Sequence, residues 1–276
     1  MEKKYKLTEE IINVDGRTLY RIEALKDFSD VKKGDKGGFI EKEENLSQYG
    51  YCWVYDNAMV YYNAMVHDDA KVYDNAKVFG DAQVYNNAEV FGKTMVYNYV
   101  KVCENAKVYE SARIYGNAKL RGSAKVHGDV SVCDNARVCM DAEVYGKAIV
   151  LDNVRIYGNA KVYGDTVVYG NAEVYGNAEI FDNSEVYGNA EVYGNAEVYE
   201  DAKVYNNADV SGNAKVYGNG EIYGIAVVYD NVEVYDNARV CGSALVCGNN
   251  TRVCGKAVVY ENSKVYGNTK IGGMQK

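Results

Sequence analysis

Few side chains in these 276 residues could carry covalent or acid–base chemistry. The two histidines are His67 and His127. An imidazole works as a general base when a neighbour orients it and a pocket excludes water. The sequence around neither one supplies these, so no catalytic residue is assigned. The cysteines, Cys52, Cys103, Cys133, Cys139, Cys241, Cys247 and Cys254, are odd in number and nowhere spaced as C-x-x-C. They read as free thiols in a reducing compartment, not as a disulfide framework or a zinc site. No metal and no cofactor is expected.

Binding chemistry leaves a clearer mark. Lys101, Lys107, Arg113, Lys119, Lys125, Arg137, Arg155 and Lys161 recur at one position of a short period, with Glu143 the one acid among them. Glu173, Glu179, Glu185, Glu191 and Glu197 then turn that position acidic. Tyr109, Tyr115, Tyr145, Tyr157 and Tyr163 interleave with the cations, and Arg121 and His127 stand where a tyrosine is missing. Together these form the candidate binding set. Tyrosine, with 28 copies in the chain, offers rigid contact area with a polar tip. The plainer alternatives are rings that only stabilise their neighbours and charges that only solvate a face. A protein partner is expected, with a glycan or stacked bases left open. The net charge of −8 argues against broad electrostatic attachment to nucleic acid or to an anionic membrane. No apolar run approaches the roughly 20 residues of a spanning helix. The opening Met-Glu-Lys-Lys-Tyr-Lys has no apolar stretch behind it, so a cytoplasmic location is expected.

The elements that position these residues are short and repeated. An aliphatic residue stands at every sixth position from Val54 to Val246; one extra residue near Asn249 and Asn250 shifts the frame, and Val253, Val259, Val265 and Ile271 continue it. A period of six does not fit a helix of 3.6 residues per turn, but fits a few extended residues and a corner. Alanine two residues before the aliphatic shares its face; the charged residue between them, and the tyrosine after them, face the other way. Gly, Asp and Asn fill the corner, where left-handed backbone angles suit them. A narrow Val/Ala core and an outer wall of tyrosine and charge follow.

Charge decides how many hexads make a lap, because stacked residues prefer opposite signs. Between Lys71 and Arg239, charge positions 18 apart give 11 opposite-sign and 7 like-sign pairs, whereas positions 12 apart give 5 and 11. Three hexads per coil, hence about 12 coils, is preferred over a two-sided lap. Residues 1–50 do not follow the phrase. Asp15-Gly16 suits a hairpin turn, and Tyr20, Ile22 and Ala24 alternate as in a half-buried strand. The expected organisation is a capping segment over 1–50, a repeat domain over 51–271 and a polar tail over 272–276. The last coil's edge is a candidate contact for a second copy.

The phrase Val-x-x-Asn-Ala-x, as in Val186-Tyr187-Gly188-Asn189-Ala190-Glu191, resembles the hexapeptide repeat of left-handed parallel β-helices, the fold of many bacterial acyltransferases. The resemblance covers about four-fifths of the chain. It departs where that family often has glycine directly after the aliphatic and this chain has tyrosine. The tyrosine-rich form, opened by Gly37-Gly38-Phe39-Ile40, looks like uncharacterised hexapeptide-repeat proteins of phages, prophages and gut bacteria. The resemblance implies an all-β fold: a single-stranded left-handed parallel β-helix with a small N-terminal β cap. Enzymes of the family use a histidine base and often a loop projecting from the coils; no loop interrupts Val54 to Val246. The γ-carbonic anhydrases of this fold bind metal through three histidines, and this chain has two. The expected function is therefore non-catalytic binding to a macromolecular partner. By resemblance this would be a phage or prophage protein that blocks a host defence protein in the bacterial cytoplasm. The alternatives are an acyltransferase working at a trimer interface and a structural spacer.

Overall fold

The structure is a computed structural model, and it describes residues 2–272. Beyond Gly272, the polar tail expected at 272–276 lies outside the described residues. The chain forms two compact units, Met1–Asn135 and Ala136–Lys276, both built from the same hexad. No α-helix occurs among the described residues.

Each hexad makes a two-residue strand and a corner. In Lys161–Val162 the valine is fully buried, as is Ala160 before it. Tyr163 follows on the outside, half-buried. Gly164 then turns the corner at φ +79°. Glycine is at home in this left-handed region, yet Asp182 holds the same corner one coil later at φ +60°. The acids at such corners have a second use. Asp74 Oδ2 accepts the Gly92 N–H at 3.0 Å, and Asp152 Oδ2 accepts the Gly170 N–H at 3.0 Å. A side chain of one coil thus satisfies a backbone donor of the next.

Strands 18 residues apart lie side by side, so three hexads complete a lap and each unit carries three parallel sheets. In the first unit Glu89 pairs with Lys71 on one side and Lys107 on the other. In the second, Glu185 pairs with Val167 and Lys203. The extra residue near Asn249 lengthens the lap without breaking the ladders, since Val234 pairs with Val253 and Val246 with Val265. Aliphatic and alanine side chains fill the interior, with exposure at or near zero from Val54 to Val246. At about 1.5–3 kcal/mol of apolar burial for each valine, this stripe offsets the ordering entropy of the chain.

The N-terminal segment is a hairpin. Strand β1 (Tyr5–Val14) and strand β2 (Arg17–Ala24) are antiparallel and joined at Asp15-Gly16. Strand β3 (Lys36–Ile40) is antiparallel to β2 and parallel to Met59–Val60. It therefore converts an antiparallel hairpin into the parallel ladder. Leu46 bridges to Val66, so the aliphatic stack starts at Ile40 and Leu46, ahead of Val54.

The hairpin covers more than the end of the stack. Leu19 and Phe39 pack on Tyr61, which is 1% exposed, while Tyr5 and Phe28 meet Trp53 edge-on at 6.0 and 5.3 Å. Tyr61 and Trp53 occupy outward positions of their hexads. They are buried because the cap lies along the first coil and screens its walls from water, so the expected outward placement of the tyrosine position does not hold there.

Candidate interaction walls

The outward tyrosines form ladders, and the 18-residue lap decides their geometry. In the first unit Tyr73, Phe91, Tyr109 and His127 make one column, with centroids 4.5–5.0 Å apart and planes within 5° of parallel. In the second, Tyr145, Tyr163, Phe181, Tyr199, Tyr217 and Tyr235 make another, at 4.6–5.0 Å. Within a column, each inner ring lies against the rings of the coils before and after it. Ring faces inside a ladder are thereby covered, and the edges and hydroxyls point outward.

Those hydroxyls are also engaged. A tyrosine at position i lies beside the charge position at i+16 in the next coil. Tyr157 Oη donates to Glu173 at 3.0 Å, Tyr163 to Glu179 at 3.1 Å and Tyr175 to Glu191 at 3.0 Å. Desolvation, and then the hydrogen bond to Glu173, push the Tyr157 phenol up to about 12. Desolvation pushes Tyr199 up to about 12 as well, with the Glu197 charge adding to it. Glu173 and Glu179 also pair with cations stacked on them, Arg155 and Lys161, each at 3.1 Å, and Lys215 pairs with Glu197 at 3.0 Å. Ring, carboxylate and cation thus form one network in the second unit. A frustrated point is Asp209, in register with Glu191. Tyr193 donates to its Oδ2 at 3.1 Å, while its buried Oδ1 has no partner; burial raises its pKa.

A second outward series is made of amides at the corners. In Asn153, Asn171, Asn189 and Asn207 each Nδ2 donates to the Oδ1 of the next at 2.9–3.0 Å. A longer run climbs from Asn159 through Asn177, Asn195, Asn213 and Asn231 to Asn249 at 2.7–3.0 Å per step. Such ladders are a known device of stacked in-register strands.

The candidate binding residues are distributed over three sides. In the first unit Lys107 and Lys125 are stacked on one side, Lys101 and Lys119 on another, and Arg113 on the third. Lys107 is tied to Glu89 at 3.2 Å. Arg121 is exposed on the Lys101 side. Tyr115 stacks on Tyr97 at 5.2 Å, on the side of Arg113. In the second unit Arg137 and Arg155 are stacked on the side of Tyr157, and Lys161 stands with Tyr145 and Tyr163 on another. Stacking brings like charges together at Lys101/Lys119 and Arg137/Arg155, against the preference for opposite signs.

Both histidines are rungs. His67 stacks on Tyr85 at 5.0 Å, with Nδ1 3.3 Å from Asp68. His127 stacks on Tyr109 at 4.5 Å, with Nδ1 3.8 Å from Glu110. All seven cysteines are free thiols. Six of them, all but Cys52, stand directly after the aliphatic residue, at the tyrosine position that faces outward. Cys103, Cys133, Cys241, Cys247 and Cys254 are instead buried, with exposures of 5–8%. A thiol is shorter than a ring, so the longer side chains around it close over it.

The chain is a hexapeptide-repeat β-solenoid. A model of the YdcK beta solenoid repeat matches residues 154–170 and 234–248. The solenoid is also similar to the protein named "Uncharacterized acetyltransferase YdcK" of Escherichia coli (strain K12), with 41% identity over 68 residues. That match covers 21% of this chain and 21% of the relative.

The hydroxyl–carboxylate bonds were not foreseen from the sequence, although an 18-residue lap and a two-residue offset between the tyrosine and charge positions contain them. The buried Lys4, 1% exposed, had no signal at all in a segment that reads as polar.

Proposed function

We propose that this solenoid is a non-catalytic binding protein that engages a protein partner through its outer walls. The observation that carries the proposal is the ladder of rings with bonded hydroxyls, such as Tyr157 and Tyr175 stacked at 4.8 Å with each phenol held by a glutamate. Side chains held this way are already ordered, so little rotamer entropy is lost on association. Covered ring faces favour a protein over bases or sugars, which need an open π-face. Ring edges, carboxylates and amides repeating at the strand spacing suit a polar protein surface. Following the phage and prophage resemblance, we place the partner among host proteins, with blocking of a defence component as the biological role.

The test is capture from bacterial lysate with the intact chain and with a variant carrying Tyr157→Ala, Tyr163→Ala and Tyr175→Ala. A partner held by the intact chain and lost from a folded variant supports the proposal. Equal capture by both overturns the role of the walls.

A second function is favoured by the relative's name: transfer of an acetyl group. His127, held between a ring and a carboxylate, would be its base. Acetyl-CoA-dependent acetylation that is lost in His127→Gln would establish it and displace the binding proposal.

A further inference from the structure

One nucleophilic pair lies outside these walls. Lys4 and Cys52 are 1% and 0% exposed, and the Lys4 Nζ is 3.3 Å from the Cys52 Sγ. The same ammonium donates to the Cys52 carbonyl at 2.9 Å and lies 3.3 and 3.4 Å from the Tyr49 and Gly50 carbonyls. These carbonyls hold Nζ in place against the sulfur. The Sγ in turn lies 3.6 Å from the Ser47 and Tyr49 carbonyls, which can take its S–H and leave a sulfur lone pair toward the amine. An open cleft of about 730 Å³, lined by Lys4, Lys26, Phe28, Tyr49 and Tyr51, reaches the Lys4 side of the pair; Cys52 does not line it.

We propose that Lys4 and Cys52 form a covalent nitrogen–sulfur cross-link when the protein meets a peroxide. The Cys52 sulfur attacks the peroxide O–O bond, which breaks to give a sulfenic acid and one water. The Lys4 amine lone pair then attacks the sulfur; the S–O bond breaks, an N–S bond forms, and the hydroxyl leaves as water with a proton from nitrogen. In sum, thiol, amine and one hydrogen peroxide give a sulfenamide and two waters. The sulfur is oxidised by two electrons and the peroxide reduced by two. Desolvation supports the second step, since it lowers Lys4 below the ordinary lysine value and favours the amine that carries the lone pair. It also raises the Cys52 thiol, which slows the first step. The link would tie the segment leading into β1 to the first coil, so it is a lock on the cap.

The experiment treats the full-length reduced chain with hydrogen peroxide, alkylates remaining thiols under denaturing conditions, and maps peptides by mass after cleavage at acidic residues. The expected product is a joined pair of peptides holding Lys4 and Cys52, lighter by two hydrogens than their sum and separated again by dithiothreitol. Separate peptides, with Cys52 alkylated, over-oxidised or joined to another cysteine, would overturn the proposal. Cys52→Ala must abolish the product, and it suits the fold because alanine fills this slot in later hexads such as Ala58 and Ala64. A cap-specific readout goes with it: peroxide should slow proteolysis within residues 1–50 of the wild type and leave Cys52→Ala unchanged.

Discussion

In the repeat, most buried side chains are valine and alanine, and the polar needs of each coil are met largely by the coil beside it. In the cap, the buried set includes Lys4, Tyr5 and Asn45, and each contact is made once. Lys4 donates to the Cys52 carbonyl, Tyr5 Oη to the Leu46 carbonyl at 2.7 Å, and Asn45 Nδ2 to the Tyr62 and Ala64 carbonyls at 3.0 and 2.8 Å. Arg21 Nη1 reaches the Gly37 and Asp56 carbonyls at 2.8 and 3.0 Å. The difference follows from where a stack begins. Inside it, a backbone carbonyl finds an N–H one strand away. At its first coil there is no such strand, and side-chain donors must take its place. Repetition therefore suits an interior and cannot finish an end.

The sharpest break in that comparison comes from a charge placed among the valines. Val162→Asp puts an unpaired carboxylate among buried valines and alanines, and a loss of about 3–5 kcal/mol or more is expected. Chemical denaturation would measure it; unchanged stability would refute the assignment of inside and outside.

Next in size is Lys4→Met, which keeps the side-chain bulk and removes the donor. About 1–3 kcal/mol should be lost, because the Cys52 carbonyl and its neighbours stay buried without their donor. The loss should be confined to the cap, with hydrogen exchange rising at residues 1–60 and unchanged across the second unit. Equal loosening of both would erase the distinction between a singular end and a redundant interior.

The smallest effect belongs to one rung. Tyr157→Phe keeps the stack with Tyr175 and drops the bond to Glu173, for an expected cost of about 0.5–1.5 kcal/mol at neutral pH. Its pH dependence is diagnostic. The Tyr157 phenol titrates near 10.0 when unperturbed and at about 12 in the fold. A raised folded value means the stabilisation is intact below 10.0 and lost as pH rises through about 12. The phenylalanine variant lacks that component, so its deficit against wild type should shrink across this window. A deficit that stayed constant would show that the hydroxyl bond contributes nothing.

Much of this was legible in the residue order. The strict recurrence of Val and Ala, the Gly/Asp/Asn corners and the excess of opposite charges 18 apart lead to three-sided coils with an aliphatic interior, and the structure has both. The surface was read less fully. The cations Lys101 to Lys161 follow one another along the chain as one basic zone, and because consecutive hexads turn to different sides they stand on separate walls, several of them as stacked pairs. The cysteines read as outward because their position is outward, and burial came from the longer rings around them.

A period of six and the alternation of small apolar with polar residues are local facts, and local sterics with the hydrophobic effect suffice to turn them into strands, corners and a core. What lies across a lap is another matter. That Tyr157 meets Glu173, that Asn153 meets Asn171, and that Lys4 comes to rest on Cys52 depend on residues 16, 18 and 48 apart being brought together. Only a closed coil does that, and only a hairpin folded back along the first coil can bury an ammonium where carbonyls lack a neighbouring strand.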